Sequence, residues 1–168
     1  MKASLAAFLI FCVISIALAQ EWAQPGKCAQ FYSLNNGKRL AALDSNHDRD
    51  RRYAGTVGGA GDFWIVTKDE SYADHYKIKH RDYGEELFES KQNYQGNFIF
   101  TWVPKTQIND GGASWIIMWA VDVNYKLKNK KFNNCLWQAD RIISAFEACD
   151  SNDYLWKIFV YPCSANKG

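Results

Sequence analysis

Tyr76-Lys77-Ile78-Lys79-His80-Arg81-Asp82-Tyr83-Gly84-Glu85-Glu86-Leu87-Phe88 and Tyr125-Lys126-Leu127-Lys128-Asn129-Lys130-Lys131-Phe132-Asn133-Asn134-Cys135-Leu136-Trp137 follow one pattern, spacing for spacing. Both open with alternating apolar and polar residues, the period of a half-buried strand. Gly84 and Asn133 then stand where a tight turn needs positive φ, which those residue types tolerate. A leucine and an aromatic residue close each stretch, Leu87 with Phe88 and Leu136 with Trp137. An earlier copy reads Tyr32, Leu34, Asn36, then Gly37, Leu40 and Ala41, with a turn three residues shorter.

Each copy runs on into an aromatic stretch, marked by Tyr53 in the first, Phe98-Ile99-Phe100 in the second and Phe146 in the third. Each ends on a tryptophan among apolar residues: Trp64-Ile65-Val66, Trp115-Ile116-Ile117 and Trp156-Lys157-Ile158. The repeated leucines lie 47 and 49 residues apart. Self-similarity at this period marks copies of one supersecondary unit that share a core. Three units of about four strands each, closed on one another, leave no free sheet edge. The expected fold is an all-β trefoil, with copies at roughly 28–70, 71–121 and 122–163. Gln138 to Cys149, the one stretch long enough for a helix, reads as loop plus strand.

Composition points the same way. Aromatic residues make up 15% of the chain, seven of them tryptophan, and aromatics favour strands. No proline-rich or Gly/Ser-rich linker divides it, so a single domain is expected over 20–168. Met1-Lys2, an apolar run from Ala3 to Leu18 and the small-residue triplet Ala17-Leu18-Ala19 have the form of a secretory signal peptide over 1–19. No other apolar stretch is long enough to span a membrane. Without Lys2 the formal charge falls from +2 to +1, too weak a bias to argue for nucleic acid.

Cleavage would also remove Cys12, leaving Cys28, Cys135, Cys149 and Cys163 for two disulfides in an oxidising compartment. The four lack a C-x-x-C pair or a nearby histidine, so neither zinc nor any other metal or cofactor is expected. In a closed trefoil the first and last strands pair antiparallel, which brings Cys28 to Cys163. Cys135 opens the second strand of the third copy and Cys149 follows its third strand, so these two face each other across a hairpin.

The leader, the four cysteines, the many tryptophans and the Tyr-x-[Ile/Leu]-x-[His/Asn] … [Gly/Asn]-x-x-Leu copies resemble the cysteine- and tryptophan-rich salivary proteins of culicine mosquitoes. That resemblance covers essentially the whole mature chain. It implies a trefoil related to ricin-type lectins, export into saliva and a role in sugar binding for a blood-feeding insect. One feature departs from the lectin pattern, which carries Gln-x-Trp near the end of each copy. Here the places read Asp62-Phe63-Trp64, Ala113-Ser114-Trp115 and Tyr154-Leu155-Trp156. The tryptophans stay and the glutamines are gone, so the lectin site does not carry over residue by residue.

Catalysis is not expected. Nucleophilic chemistry needs a nucleophile beside a base and an orienting group, yet the cysteines are assigned to disulfides. Of His47, His75 and His80, the last takes the place of Asn36 and Asn129 and reads as a turn-stabilising residue. The glycines of 54–61 lack a P-loop ending and read as a flexible hairpin loop. Sugar binding needs an aromatic face with amides or carboxylates at hand. Trp137, Gln138 and Asp140, with Asn152 and Asp153 further on, supply these within the third copy and are the first-choice site. The first copy offers Asp44, Asn46, His47 and Asp48, and the second offers Asn93, Tyr94 and Asn97. Lys126, Lys128, Lys130 and Lys131, matched by Lys77 and Lys79, form a stripe suited to sulfated glycans or other polyanions, or simply a solvated face.

The expected partner is a sugar or glycan bound by a secreted monomer, with host proteins next in line and no nucleic acid or membrane partner. The competing classes are a protease inhibitor of the plant trefoil type and a scavenger of a small host mediator. An inhibitor needs a rigid protruding loop, and the richest candidate, Lys105 to Gly112, has no cysteine tie.

Overall fold

In a computed structural model describing residues 21–93, 96–138 and 141–163, Ala29, Tyr76 and Tyr125 each pair with the tryptophan that closes their own copy: Trp64, Trp115 and Trp156. The leader assigned to 1–19 lies outside the described residues. Twelve strands are formed among those described: β1 (Lys27–Ser33), β2 (Arg39–Asn46), β3 (Arg51–Val57), β4 (Trp64–Lys68), β5 (Tyr76–His80), β6 (Leu87–Asn93), β7 (Asn97–Trp102), β8 (Trp115–Val121), β9 (Asn124–Asn129), β10 (Cys135–Trp137), β11 (Ser144–Phe146) and β12 (Trp156–Pro162). Strands β1, β4, β5, β8, β9 and β12 pair in a closed ring. The hairpins β2–β3, β6–β7 and β10–β11 cap it, joined by β3–β7 and β7–β11 and by a bridge from Gly55 to Ile142. This is a β-trefoil. The segment 138–149 contributes strand β11, and no helix, to the described structure.

One interaction per copy pins cap to barrel. The indole N–H groups of Trp64, Trp115 and Trp156 donate to the carbonyls of Leu40, Leu87 and Leu136 at 3.3, 3.0 and 3.1 Å. All six side chains are fully buried. A buried tryptophan stabilises through its large apolar area only if its N–H is satisfied. The repeated leucine and tryptophan thus mark the two ends of one bond.

The turns fix the register of the copies. Gly37, Gly84 and Asn133 have φ of 65°, 68° and 59°, and their N–H groups donate to Ser33, His80 and Asn129. The first copy is therefore not three residues shorter. Its barrel residues are Ala29, Phe31 and Ser33, counterparts of Tyr76, Ile78 and His80. Phe31, Ile78 and Leu127 are all buried, whereas Leu34 is 45% exposed and Tyr32 lies under the Arg39 guanidinium at 4.6 Å. His80 is the turn residue expected of it, since Nδ1 accepts the Tyr83 N–H at 3.0 Å. Its counterparts are Ser33 and Asn129.

A second threefold feature was not legible as a repeat. Gln30, Lys77 and Lys126 occupy one position, and each donates to a carbonyl of the loop before a closing tryptophan: Ala60, Ile108 and Cys149. The disulfides join Cys28 to Cys163 and Cys135 to Cys149, with Cα separations of 4.8 and 5.6 Å.

The glycine-rich 54–61 segment is only partly a loop. Gly55 lies inside β3, where a Cβ would fall 2.7 Å from Leu43 Cδ1 and closer still to the Arg141 carbonyl. That carbonyl accepts the Thr56 N–H at 2.9 Å, closing the cap between first and third copies. Gly55→Ala is expected to cost about 2 kcal/mol in urea denaturation, as overpacking does. Gly58→Ala, with open space around it, is the control and should cost under about 0.5 kcal/mol.

Candidate functional site

The cap hairpins and the loops they approach frame the clefts of the molecule. In the second copy, β6, the 103–114 loop and the β9–β10 turn enclose an open cleft of about 520 Å³. Phe88 and Trp102 meet edge to face at 5.7 Å and form one wall, with Ile108 and Phe132 completing the apolar lining. The Trp102 indole N–H donates to Thr106 Oγ1 at 2.7 Å, which fixes the ring's orientation. Asp110 and Lys131 pair at 2.5 Å on the polar side, and the Lys131 ammonium holds the Asp110 carboxyl below its usual range. Asn129 ties the two sides together. Its Nδ2 donates to the Gly112 carbonyl at 2.8 Å while its Oδ1 accepts from Lys131 N and Phe132 N.

Glu89 lies at the base of the cleft, 2% exposed. Its Oε1 accepts from Asn97 and Asn134 at 2.7 and 2.6 Å, and Oε2 has no hydrogen-bond partner among the described residues. Burial pushes this carboxyl up to about 7, against the two amides, which pull it down. A desolvated carboxylate is costly, and holding its proton relieves the cost.

The third-copy residues singled out in the sequence sit at the equivalent place. Counting from Leu87 and Leu136, Phe88 matches Trp137 and Glu89 matches Gln138. The backbone agrees: Glu89 N–H donates to the Gly112 carbonyl and Gln138 N–H to the Asp153 carbonyl, each three residues before a closing tryptophan. Trp137 is half-buried, edge-on to Phe146 at 5.1 Å. The Gln138 side chain is buried and accepts from the Ser33 hydroxyl, linking third copy to first. Asn152 and Asp153 lie on a 3-10 turn, exposed and half-buried respectively. Asp140 lies outside the described residues, as does Tyr94 of the second copy.

The lysines disperse rather than forming one stripe. Lys126 is the loop tether, Lys128 is half-buried, Lys130 stands over the Tyr72 ring at 5.6 Å and Lys131 enters the cleft. Lys77 is buried. Sequence reading missed Phe88, Ile108, Asp110 and Phe132 as site residues. Superposing the copies on Leu87 and Leu136 would have found Phe88 and Glu89 from Trp137 and Gln138.

A closed barrel, three cap hairpins and two disulfides define a disulfide-bonded β-trefoil protein. No family model and no curated protein matches the chain. Among solved structures, a salivary protein of the cysteine- and tryptophan-rich (CWRC) family from Culex quinquefasciatus is 36% identical. The match covers 80% of this chain and 93% of that one, with a TM-score of 0.73. A second Culex quinquefasciatus salivary protein of that family is 24% identical over 80% and 93%, with a TM-score of 0.64. SeviL, solved with an asialo-GM1 saccharide bound, shares the fold at 19% identity, 80% and 96% coverage and a TM-score of 0.60. The chain belongs to the cysteine- and tryptophan-rich (CWRC) family.

Proposed function

We propose that this is a secreted, salivary, non-catalytic lectin-like protein whose second-copy cleft binds a sugar ring. The carrying observation is the fixed Phe88–Trp102 wall facing the Asp110–Lys131 pair. An aromatic face takes the C–H side of a pyranose, and a carboxylate with an ammonium takes its hydroxyls. The two salivary relatives and the disulfides support export, and SeviL with its bound saccharide supports this use of the fold. A non-catalytic role is supported by the histidines, which are engaged in the frame. His80 serves a turn, His47 Nδ1 meets the Tyr53 hydroxyl at 2.7 Å, and His75 Nδ1 meets the Ala73 carbonyl at 2.7 Å. The group around Trp137, Gln138, Asn152 and Asp153 is the second candidate, at the matching place of the third copy.

A glycan array followed by titration calorimetry on the oxidised protein tests this reading. Trp102→Ala should weaken the sugar found by about tenfold, the value of one lost aromatic contact, and Trp137→Ala should leave it unchanged. Loss in Trp137→Ala alone moves the site to the third copy. An array blank for every sugar overturns the lectin reading.

A further inference from the structure

The 103–114 loop has two sides. Across it from the aromatic cleft lies a second, polar cleft of about 310 Å³, lined by Lys68, Lys77, Lys79 and Lys105 with Glu70 and Glu86. Four ammonium groups from three chain segments converge on it. We propose that this cleft is a site for a tetrahedral oxyanion, the sulfate or phosphate group of an ester, bound by Lys68, Lys79 and Lys105.

The roles of the lysines separate cleanly. Lys77 holds the Ile108 carbonyl and lies 3.6 Å from Asp69 and 3.8 Å from Glu86. Gln30 and Lys126 make the same tether at the other two junctions, so Lys77 belongs to the frame. Its charge is answered by Asp69, and Glu86 is shared among Lys77, Lys79 at 4.0 Å and the Ile108 N–H. Lys68 and Lys105 form no ion pair and no side-chain hydrogen bond among the described residues, leaving Glu70 as the one further acidic group lining the cleft. The other junctions carry Trp119 and Val160 where this one carries Lys68, so the positive cluster is peculiar to this place.

Lys105 is placed by the loop's own turn. Its φ is 60°, a left-handed conformation that costs a lysine about 1 kcal/mol and that glycine would take freely. The conformation belongs to a turn in which the Lys105 N–H donates to the Trp102 carbonyl at 3.1 Å. Here it sets a cation on the rim of a cleft that already holds three. The site does not depend on sugar binding in the aromatic cleft, which lies on the other side of the loop.

Titration calorimetry at 50 and 150 mM NaCl tests it with three probes: a heparin-derived sulfated disaccharide, its desulfated counterpart and inorganic phosphate. The sulfated probe should bind, the double variant Lys68→Ala/Lys105→Ala should weaken that binding by about tenfold or more, and any binding of the desulfated probe should be unmoved by the double variant. Lys157→Ala, a charge removed elsewhere on the surface, should change it by less than about twofold. Lys105→Gly should lose affinity while gaining thermal stability, a split that a merely structural lysine would not show. Phosphate competing as well as the disaccharide also supports the site and identifies the free anion as sufficient. Equal loss in Lys157→Ala, or binding indifferent to the double variant, overturns the proposal.

Discussion

Replacing Cys28 and Cys163 together by alanine should lower the unfolding free energy by roughly 5 kcal/mol, against about 3 kcal/mol for the Cys135 and Cys149 pair. The first bond closes a sequence separation of 135 residues and the second one of 14. In the chain-entropy account a cross-link acts by removing freedom from the unfolded chain, and more so for the longer loop. The folded state should survive either change. Strand β1 is held to β12 by seven registered pairs from Lys27↔Pro162 to Ser33↔Trp156, so the ring stays closed without its bond. Urea denaturation of the two double variants gives the comparison. Equal losses would mean that native contacts around each bridge, rather than loop length, set its value.

Stability should also fall between pH 5 and pH 8, and Glu89→Gln should flatten that fall. Burial first, against hydrogen bonds from Asn97 and Asn134, moves the Glu89 carboxyl from 4.5 to about 7. A group whose folded value is raised binds its proton more tightly when folded. Its acid form favours the fold, and the advantage drains away as pH rises from 4.5 to 7. The change is on the order of 3 kcal/mol. Glutamine keeps an oxygen for the two asparagines and carries no charge, but its amide NH₂ takes the place of the unpartnered Oε2 and costs about 1–2 kcal/mol. The variant should therefore be about 1–2 kcal/mol more stable at pH 8 and less stable by up to about 1 kcal/mol at pH 5. Parallel curves for the two proteins would show that Glu89 is not the titrating group. The third copy already holds glutamine, Gln138, at this position.

The trefoil was legible because its strongest signals are also its main joints. Leu87, Leu136, Trp115 and Trp156 are large, spaced regularly and joined in pairs by the same bond. The first copy was misread by three residues for the converse reason. Ala29 and Ser33 are small, and the Tyr32, Leu34, Asn36 alternation imitates a strand face although it points outward. The clefts were the least legible part. Trp137, Gln138 and Asp140 advertise a site because they are neighbours in sequence. Phe88, Trp102, Asp110 and Phe132 become neighbours only when a hairpin, a loop and the next copy's turn are folded together. Lys77 looked like a surface charge because strand alternation places it off the core face. The loop above it then covers that face and buries the ammonium.

Gln30, Lys77 and Lys126 have a consequence for how such a molecule can change. Each holds its loop by one backbone carbonyl, and a carbonyl is present whatever residue the loop carries there. The three loops run over 58–63, 103–114 and 147–155, and they differ in length while the strands on either side keep their pairing. A segment spliced into one of them is expected to leave the other two undisturbed. A chain built this way can try new surfaces one junction at a time, and its longest loop is the one with a cleft on each side.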